Sequence, residues 1–268
     1  SIDETLDQLL ETEQSLIRFG DGEFNLINGN SIAYQEYQEE LAQEMREILL
    51  HADDTENKVL ICLPEIFEIF KGSFLQNEDS EKFWKQVLDD HGRFFQETCQ
   101  AKRYGSTWIS RPYIDNKDKS HAITQFEKIK SLFEHKDILI VEGATTRSGV
   151  GNDLFNNVLS IKRIICPSHH AFSKVDAIQQ AILDHAPGRI ILLMLGPTAK
   201  ILAYRLSQLG YRALDLGHID PEYEWMKMGA VTRVQLKHKH TAEFNFDQGI
   251  EFVEDEDYNS QIVVDLSK

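Results

Sequence analysis

The feature that most limits what this chain can become is a set of short apolar runs, each closed by glycine or proline. They are Ser15 to Gly20 (SLIRFG), Lys58 to Pro64 (KVLICLP), Asp137 to Gly143 (DILIVEG), Ile161 to Pro167 (IKRIICP), Arg189 to Gly196 (RIILLMLG) and Tyr211 to Gly217 (YRALDLG). Runs without alternation suit parallel strands covered on both faces, because a strand with one wet face alternates apolar and polar residues. Between the later runs, Asn152 to Leu159, Ser173 to His185 and Thr198 to Leu209 have the spacing of crossover helices. The expected fold is therefore α/β, a Rossmann-like, doubly wound and mostly parallel sheet. A helix-rich insertion at about 65–134 is expected to interrupt it, with helical periodicity over Glu81 to Ala101 and His121 to Phe133. Residues 1–229 read as one domain carrying that insertion. Residues 230–268 read as a β-like extension of it, alternating in VTRVQLKHK and EFNFDQGIEFVED around the acidic stretch Glu254 to Asp257.

Charge narrows the partners. Against 44 acidic residues the chain has 28 Lys and Arg, a formal charge of −16, so it lacks the basic footprint of a nucleic-acid binder. No apolar stretch reaches the roughly 18 residues that cross a bilayer, and the acidic N-terminal stretch has no signal-peptide core. Cys62, Cys99 and Cys166 are scattered and odd in number, which suits free thiols in a reducing compartment. A cytoplasmic location is expected.

In open α/β sheets ligands bind beyond the carboxyl ends of the strands, so the residues after each run are the candidates. After the first run, Asp21 and Glu23 flank a glycine and could offer two oxygen ligands to Mg²⁺ or Mn²⁺, or form a solvated acidic turn. After the third run, the loop Gly143 to Asp153 holds glycines, threonines, Arg147 and Ser148 before an expected helix, a layout that offers N–H groups and a cation to a diphosphate. It matches neither the Walker A nor the dinucleotide pattern. Gly196-Pro197-Thr198 suits a ligand contact or an ordinary helix start. His218 follows the last run, and Glu222 or Glu224 could be a general base or a partner of the helix dipole. Ser110 to Tyr113, exposed by composition, could bind an anionic or sugar group. His169-His170 has no accompanying C-x-x-C or H-E-x-x-H, so structural zinc is not expected.

Taken in order, the stretches IRFGDGEFNLI (Ile17 to Ile27), YQEYQEELA (Tyr34 to Ala42), STWISRPY (Ser106 to Tyr113), VEGATTRSGVGNDLF (Val141 to Phe155), RIICPSHHAF (Arg163 to Phe172), LGPTAKILAYRLSQLGYRALDLGHID (Leu195 to Asp220) and PEYEWM (Pro221 to Met226) resemble the GT-D-type glycosyltransferases. That family was long filed as a domain of unknown function of Gram-positive glycosylation clusters. The resemblance implies a Rossmann-like fold, a UDP-sugar donor and a divalent metal, Mn²⁺ or Mg²⁺. It assigns the D-x-E motif to Asp21 and Glu23 as catalytic metal ligands, joined by His218. It places Arg18, Arg147, Ser148, Gly149, Asp153, Gly196, Thr198 and His218 at the nucleotide-sugar, and makes Glu224 the catalytic base. Arg111 and Gln35 are assigned to acceptor or sugar. The implied reaction moves a hexose, glucose first, to a hydroxyl of a glycan or glycoprotein acceptor with inversion, with other glycosyltransferases as candidate partners. The competing readings are a metal-dependent phosphoesterase, since the same ligands could activate water, and a nucleotide-sugar binder without catalysis.

Overall fold

The computed structural model describes residues 1–53, 58–65, 78–241 and 250–268. Positions 66–77 of the expected insertion and 242–249 of the expected extension lie outside the described residues. The strands are β1 (Ser15–Arg18), β2 (Val59–Leu63), β3 (Gly105–Ser106), β4 (Asp137–Gly143), β5 (Ser160–Cys166), β6 (Ile190–Met194), β7 (Ala213–Asp215) and β8 (Ile262–Asp265). They form one eight-stranded sheet in the order β3-β2-β1-β7-β6-β4-β5-β8, and every pairing is parallel. Each of the six apolar runs contains a strand. In β4 the consecutive residues Ile138, Leu139, Ile140 and Val141 are all buried, which requires cover on both faces and explains the unbroken hydrophobic run.

The helices are α1 (Ile2–Glu11), α2 (Asp21–Ile27), α3 (Glu39–Leu50), α4 (Glu78–Thr98), α5 (Ala122–Ser131), α6 (Val175–His185), α7 (Thr198–Gln208), α8 (Ile219–Met228) and α9 (Glu256–Gln261). The run-based reading passes over α1, although its signals are local. Ser1 and Glu4 close a capping box, and Ile2, Leu6 and Leu9 make one buried face. Burying Leu6 and Leu9 completely contributes roughly 1.5–3 kcal/mol each.

Three expectations change. Asn152 to Leu159 forms a series of turns and no helix, because Gly149 and Gly151 adopt positive φ and the Asn152 side chain accepts the Leu154 N–H at 3.0 Å, diverting the backbone from helical pairing. Residues 231–239 contain no strand; the C-terminal strand is β8, laid on the edge strand β5. The acidic stretch Glu254 to Asp257 starts α9, where the Asp255 carboxylate accepts the Tyr258 N–H at 2.9 Å and the acids complement the positive helix end.

The strand order fixes where a ligand can sit. The chain leaves β1 toward β2 on one side, while β7 flanks it on the other. Likewise it leaves β4 toward β5 and returns to β6 on the opposite side. At both places the following loops diverge and open a crevice at the carboxyl edge of the sheet.

Candidate active site

A cavity of about 790 Å³ lies over that edge, in the upper part of the range of about 300–1,000 Å³ typical of small-molecule sites. Loops after β1, β4, β5, β6 and β7 line one end, including Asp21, Thr145, Ser168, Gly196 and His218. The inserted region lines the other with Phe83, Trp84, Trp108, Arg111 and Asp115. Of the residues named by the resemblance, Arg18, Asp21, Glu23, Gln35, Arg111, Gly196 and His218 line the cavity.

At the β1 end the chain builds a buried charge quartet. The Arg18 guanidinium donates to the Asp215 carboxylate at 2.9 Å and to the Asp215 carbonyl at 2.7 Å. The Lys200 ammonium lies 3.1 Å from Asp215 and 3.0 Å from Glu23. Burial pushes the Asp215 carboxyl up, but the Arg18 and Lys200 charges outweigh it and hold the group below its usual range. Asp21-Gly22-Glu23 is no loose turn: it is the first turn of α2, and Glu23 Oε2 accepts the Gly20 N–H at 2.8 Å. Both Glu23 oxygens are therefore engaged. Asp21 stands outside the quartet and lines the cavity. Gly217 follows from this arrangement, since at its φ of +40° a Cβ would overlap the Arg18 guanidinium.

At the β7 end, His218 Nδ1 lies 3.2 Å from an Arg111 nitrogen. A guanidinium cannot accept a hydrogen bond, so Nδ1 accepts and Nε2 carries the ring proton. In that state Nε2 suits a phosphate oxygen and not a cation. Ser110 to Tyr113 is not exposed as composition suggests; Ser110 and Tyr113 are buried. The loop is held from beneath by Glu222, whose Oε2 accepts the Tyr113 and Ile114 N–H groups at 2.9 Å each. Burial, reinforced by the Asp115 charge, raises the Glu222 carboxyl to about 7, against the pull of Arg111 and the two N–H groups.

The structure does not bring the glycine-rich loop to the cavity beyond Gly143, Thr145 and Thr146. Ser148 N–H goes to Glu142 at 2.7 Å and Gly149 N–H to Asp220 at 2.8 Å, so carboxylates of the protein occupy the donors expected to meet a diphosphate. Arg147 donates to the Val253 carbonyl at 3.0 Å and lies over the Tyr258 ring, 4.7 Å from its centroid. Asp153 accepts from Tyr223 at 3.0 Å and pairs with Lys227 at 3.3 Å, away from the lining. Thr198 is buried, and it does not line the cavity as Gly196 and Pro197 do. Glu224 is held by Asn152 at 2.8 Å and Lys239 at 3.1 Å and, like Glu222, does not line the cavity. His169 stacks on Tyr34 at 5.2 Å, and His170 accepts the Glu36 N–H at 3.0 Å.

Among the described residues no three of His, Cys, Asp and Glu converge on a metal position. A closed protein cage therefore does not fit. What fits is the sparse arrangement typical of Mg²⁺ and Mn²⁺, one carboxylate shared with substrate phosphates and water, for which Asp21 is a cavity-lining carboxylate outside the charge quartet. Lys200, which the motif reading does not single out, completes this end beside Thr145 of the glycine-rich loop. Its signal is its place in the first turn of the helix that follows β6.

An all-parallel, doubly wound sheet with a cleft at its switch points and a carboxylate after β1 defines an α/β protein whose ligand site lies at the carboxyl edge of the sheet. Within that class, residues 16–244 match the family described as Glycosyltransferase GT-D fold, and the chain belongs to it. A protein of Streptococcus pneumoniae serotype 4 described as Glycosyltransferase GlyD is 57% identical over 262 residues, which is 98% of this chain and 32% of that protein. The chain thus spans about a third of that relative. A solved structure described as a new glycosyltransferase (DUF1792) from Streptococcus sanguinis superposes with a TM-score of 0.94 at 53% identity, covering 99% of this chain and 98% of that one. A second, described as domain of unknown function 1792 with a distinct glycosyltransferase fold, gives 0.94 at 48% identity, covering 99% and 94%. No helix among the described residues is long and apolar enough to cross a membrane.

Proposed function

We propose that this chain transfers a hexose, glucose first, from a UDP-sugar to a hydroxyl of a glycan acceptor, with inversion and with Mn²⁺ or Mg²⁺. The reaction would serve glycoprotein or surface-polysaccharide glycosylation. The observation that carries the reading is the placement of Asp21, Gly196 and His218 together around the switch-point cavity of a GT-D family member. Asp21 would hold the metal together with diphosphate oxygens, and the ion would offset the charge gathering on the departing UDP. His218 Nε2–H and the start of α7 would add hydrogen bonds to that charge. The quartet of Arg18, Asp215, Lys200 and Glu23 keeps Asp21 in place by fixing the first turn of α2. The cavity continues from these loops to Trp108 and Arg111, which leaves room for an acceptor on the side away from the diphosphate, as in-line displacement requires.

The test is UDP release from a panel of UDP-hexoses, with Mn²⁺ or with EDTA, with and without glycan acceptors, together with UDP calorimetry on the wild type and Asp21→Asn. Metal-dependent UDP binding that Asp21→Asn abolishes, and UDP release coupled to sugar transfer, are expected. Equal UDP affinity in Mn²⁺ and EDTA would remove the metal. Phosphate release without sugar transfer would favour a phosphoesterase, and UDP binding without turnover a non-catalytic binder.

A further inference from the structure

The insertion end of the cavity has a chemistry of its own. Phe83 and Trp84, on α4, meet edge to face with centroids 5.4 Å apart, and Trp84 lies 4.9 Å from Trp108. Three residues beyond Trp108, Arg111 begins a charged group: it pairs with Asp115 at 3.2 Å, and Asp115 pairs with Arg233 at 2.8 Å. All six line the cavity. Trp84 and Trp108 are buried, at 9% and 6% exposure, while Phe83 is 48% exposed. Through Arg111 the group reaches His218 at 3.2 Å, and so adjoins the loop after β7.

We propose that this end is a seat for a neutral saccharide, the acceptor's sugar ring, with Phe83 against its face, backed by the buried Trp84 and Trp108, and Arg111, Asp115 and Arg233 at its hydroxyl rim. A pyranose offers an apolar C–H face and a rim of hydroxyls that both donate and accept. Amphipathic aromatic surface matches the first, and a carboxylate between two guanidinium groups matches the second. Charge argues against a diphosphate at this end. Arg111 and Arg233 are balanced by Asp115 and by Asp79, which also lines it, so the wall offers little net attraction to a diphosphate. The adjoining His218 loop would set a bound hydroxyl beside the donor end. The assignment of this ring to an acceptor rests on the glycosyltransferase reading above, whereas the saccharide seat does not.

The chain has only three tryptophans, Trp84, Trp108 and Trp225, and Trp225 is buried with its Nε1 bonded to the Val234 carbonyl at 2.9 Å. Intrinsic fluorescence therefore reports on this end. Titration with maltose, cellobiose, lactose and chitobiose should give a saturable change with at least one. Phe83→Ala, at an exposed position that leaves the core intact, should weaken binding by about fivefold or more. No response to any disaccharide, a response to uridine alone, or wild-type binding by Phe83→Ala would each overturn the proposal. UDP calorimetry on the same samples separates the two readings. UDP binding without a saccharide response sinks this seat alone, and a saccharide response without UDP binding sinks the donor reading alone.

Discussion

Glu222→Gln should remove a pH dependence that the wild type carries. The Glu222 carboxyl is fully buried, and Oε1 has no hydrogen-bond partner among the described residues. The charges around it are Asp115, which raises its proton affinity, and Arg111, which lowers it, with Lys119 also within its field. The result is a carboxyl that titrates near 7 in the folded protein against its usual 4.5. Below pH 4.5 both folded and unfolded states hold the proton, and the folded state is at no disadvantage. Between 4.5 and 7 the unfolded chain ionises while the folded one keeps its proton, so stability falls as pH rises, and above 7 it levels off. A gap of about 2.5 pH units, at ~1.36 kcal/mol per unit, amounts to about 3 kcal/mol at pH 8, of which only about 1.4 is spent by pH 5.5. Glutamine retains an oxygen for the Tyr113 and Ile114 N–H groups but leaves a buried amide N–H₂, a cost of about 1–3 kcal/mol that does not vary with pH. Urea unfolding of both proteins at pH 5.5 and 8.0 isolates the varying part. Relative to wild type, Glu222→Gln should gain about 2 kcal/mol between the two pH values. An offset that stays constant would show that the carboxyl does not titrate in this window and would refute the reasoning.

Lys200→Met removes the cation shared by Glu23 and Asp215 and should cost about 3–5 kcal/mol in thermal or urea unfolding. Because Asp215 titrates below its usual value when folded, its contribution is full above about pH 4 and lost as pH falls through the folded value; the variant's acid-unfolding midpoint should therefore move upward. Glu224→Gln, outside the cavity and held by Asn152 and Lys239, should leave sugar transfer within about twofold of wild type; a fall of roughly 10²-fold would make it the base after all. Arg147→Ala removes the bond to Val253 and the stacking on Tyr258. It should lower stability by about 1–2 kcal/mol and expose the C-terminal segment to proteolysis while UDP affinity by calorimetry stays unchanged; lost UDP binding would return Arg147 to the site.

What the sequence alone determined is local. Apolar runs such as DILIVEG and RIILLMLG can satisfy their burial only as covered strands, and parallel pairing places the residues after them at one edge. That much makes Asp21, Gly196 and His218 legible as site candidates before any coordinates. The D-x-E signature carries less local information than it suggests, since Glu23 serves Gly20 and Lys200 while Asp21 lines the cavity. The glycine-rich loop has the composition of a phosphate cradle, yet its N–H groups are taken by Glu142, its strand neighbour, and by Asp220, 71 residues further along the chain. Glu222 and Glu224 are acids two residues apart, but helical geometry buries one beneath the 110–114 loop and turns the other toward Lys239. The aromatic and charged end of the cavity draws on α4, the 107–115 segment and Arg233, stretches with no shared motif. Only the tertiary structure could decide these, because a donor, a carboxylate or a ring acquires its role from partners brought near by chain crossings, and those partners are not encoded in the local pattern around it.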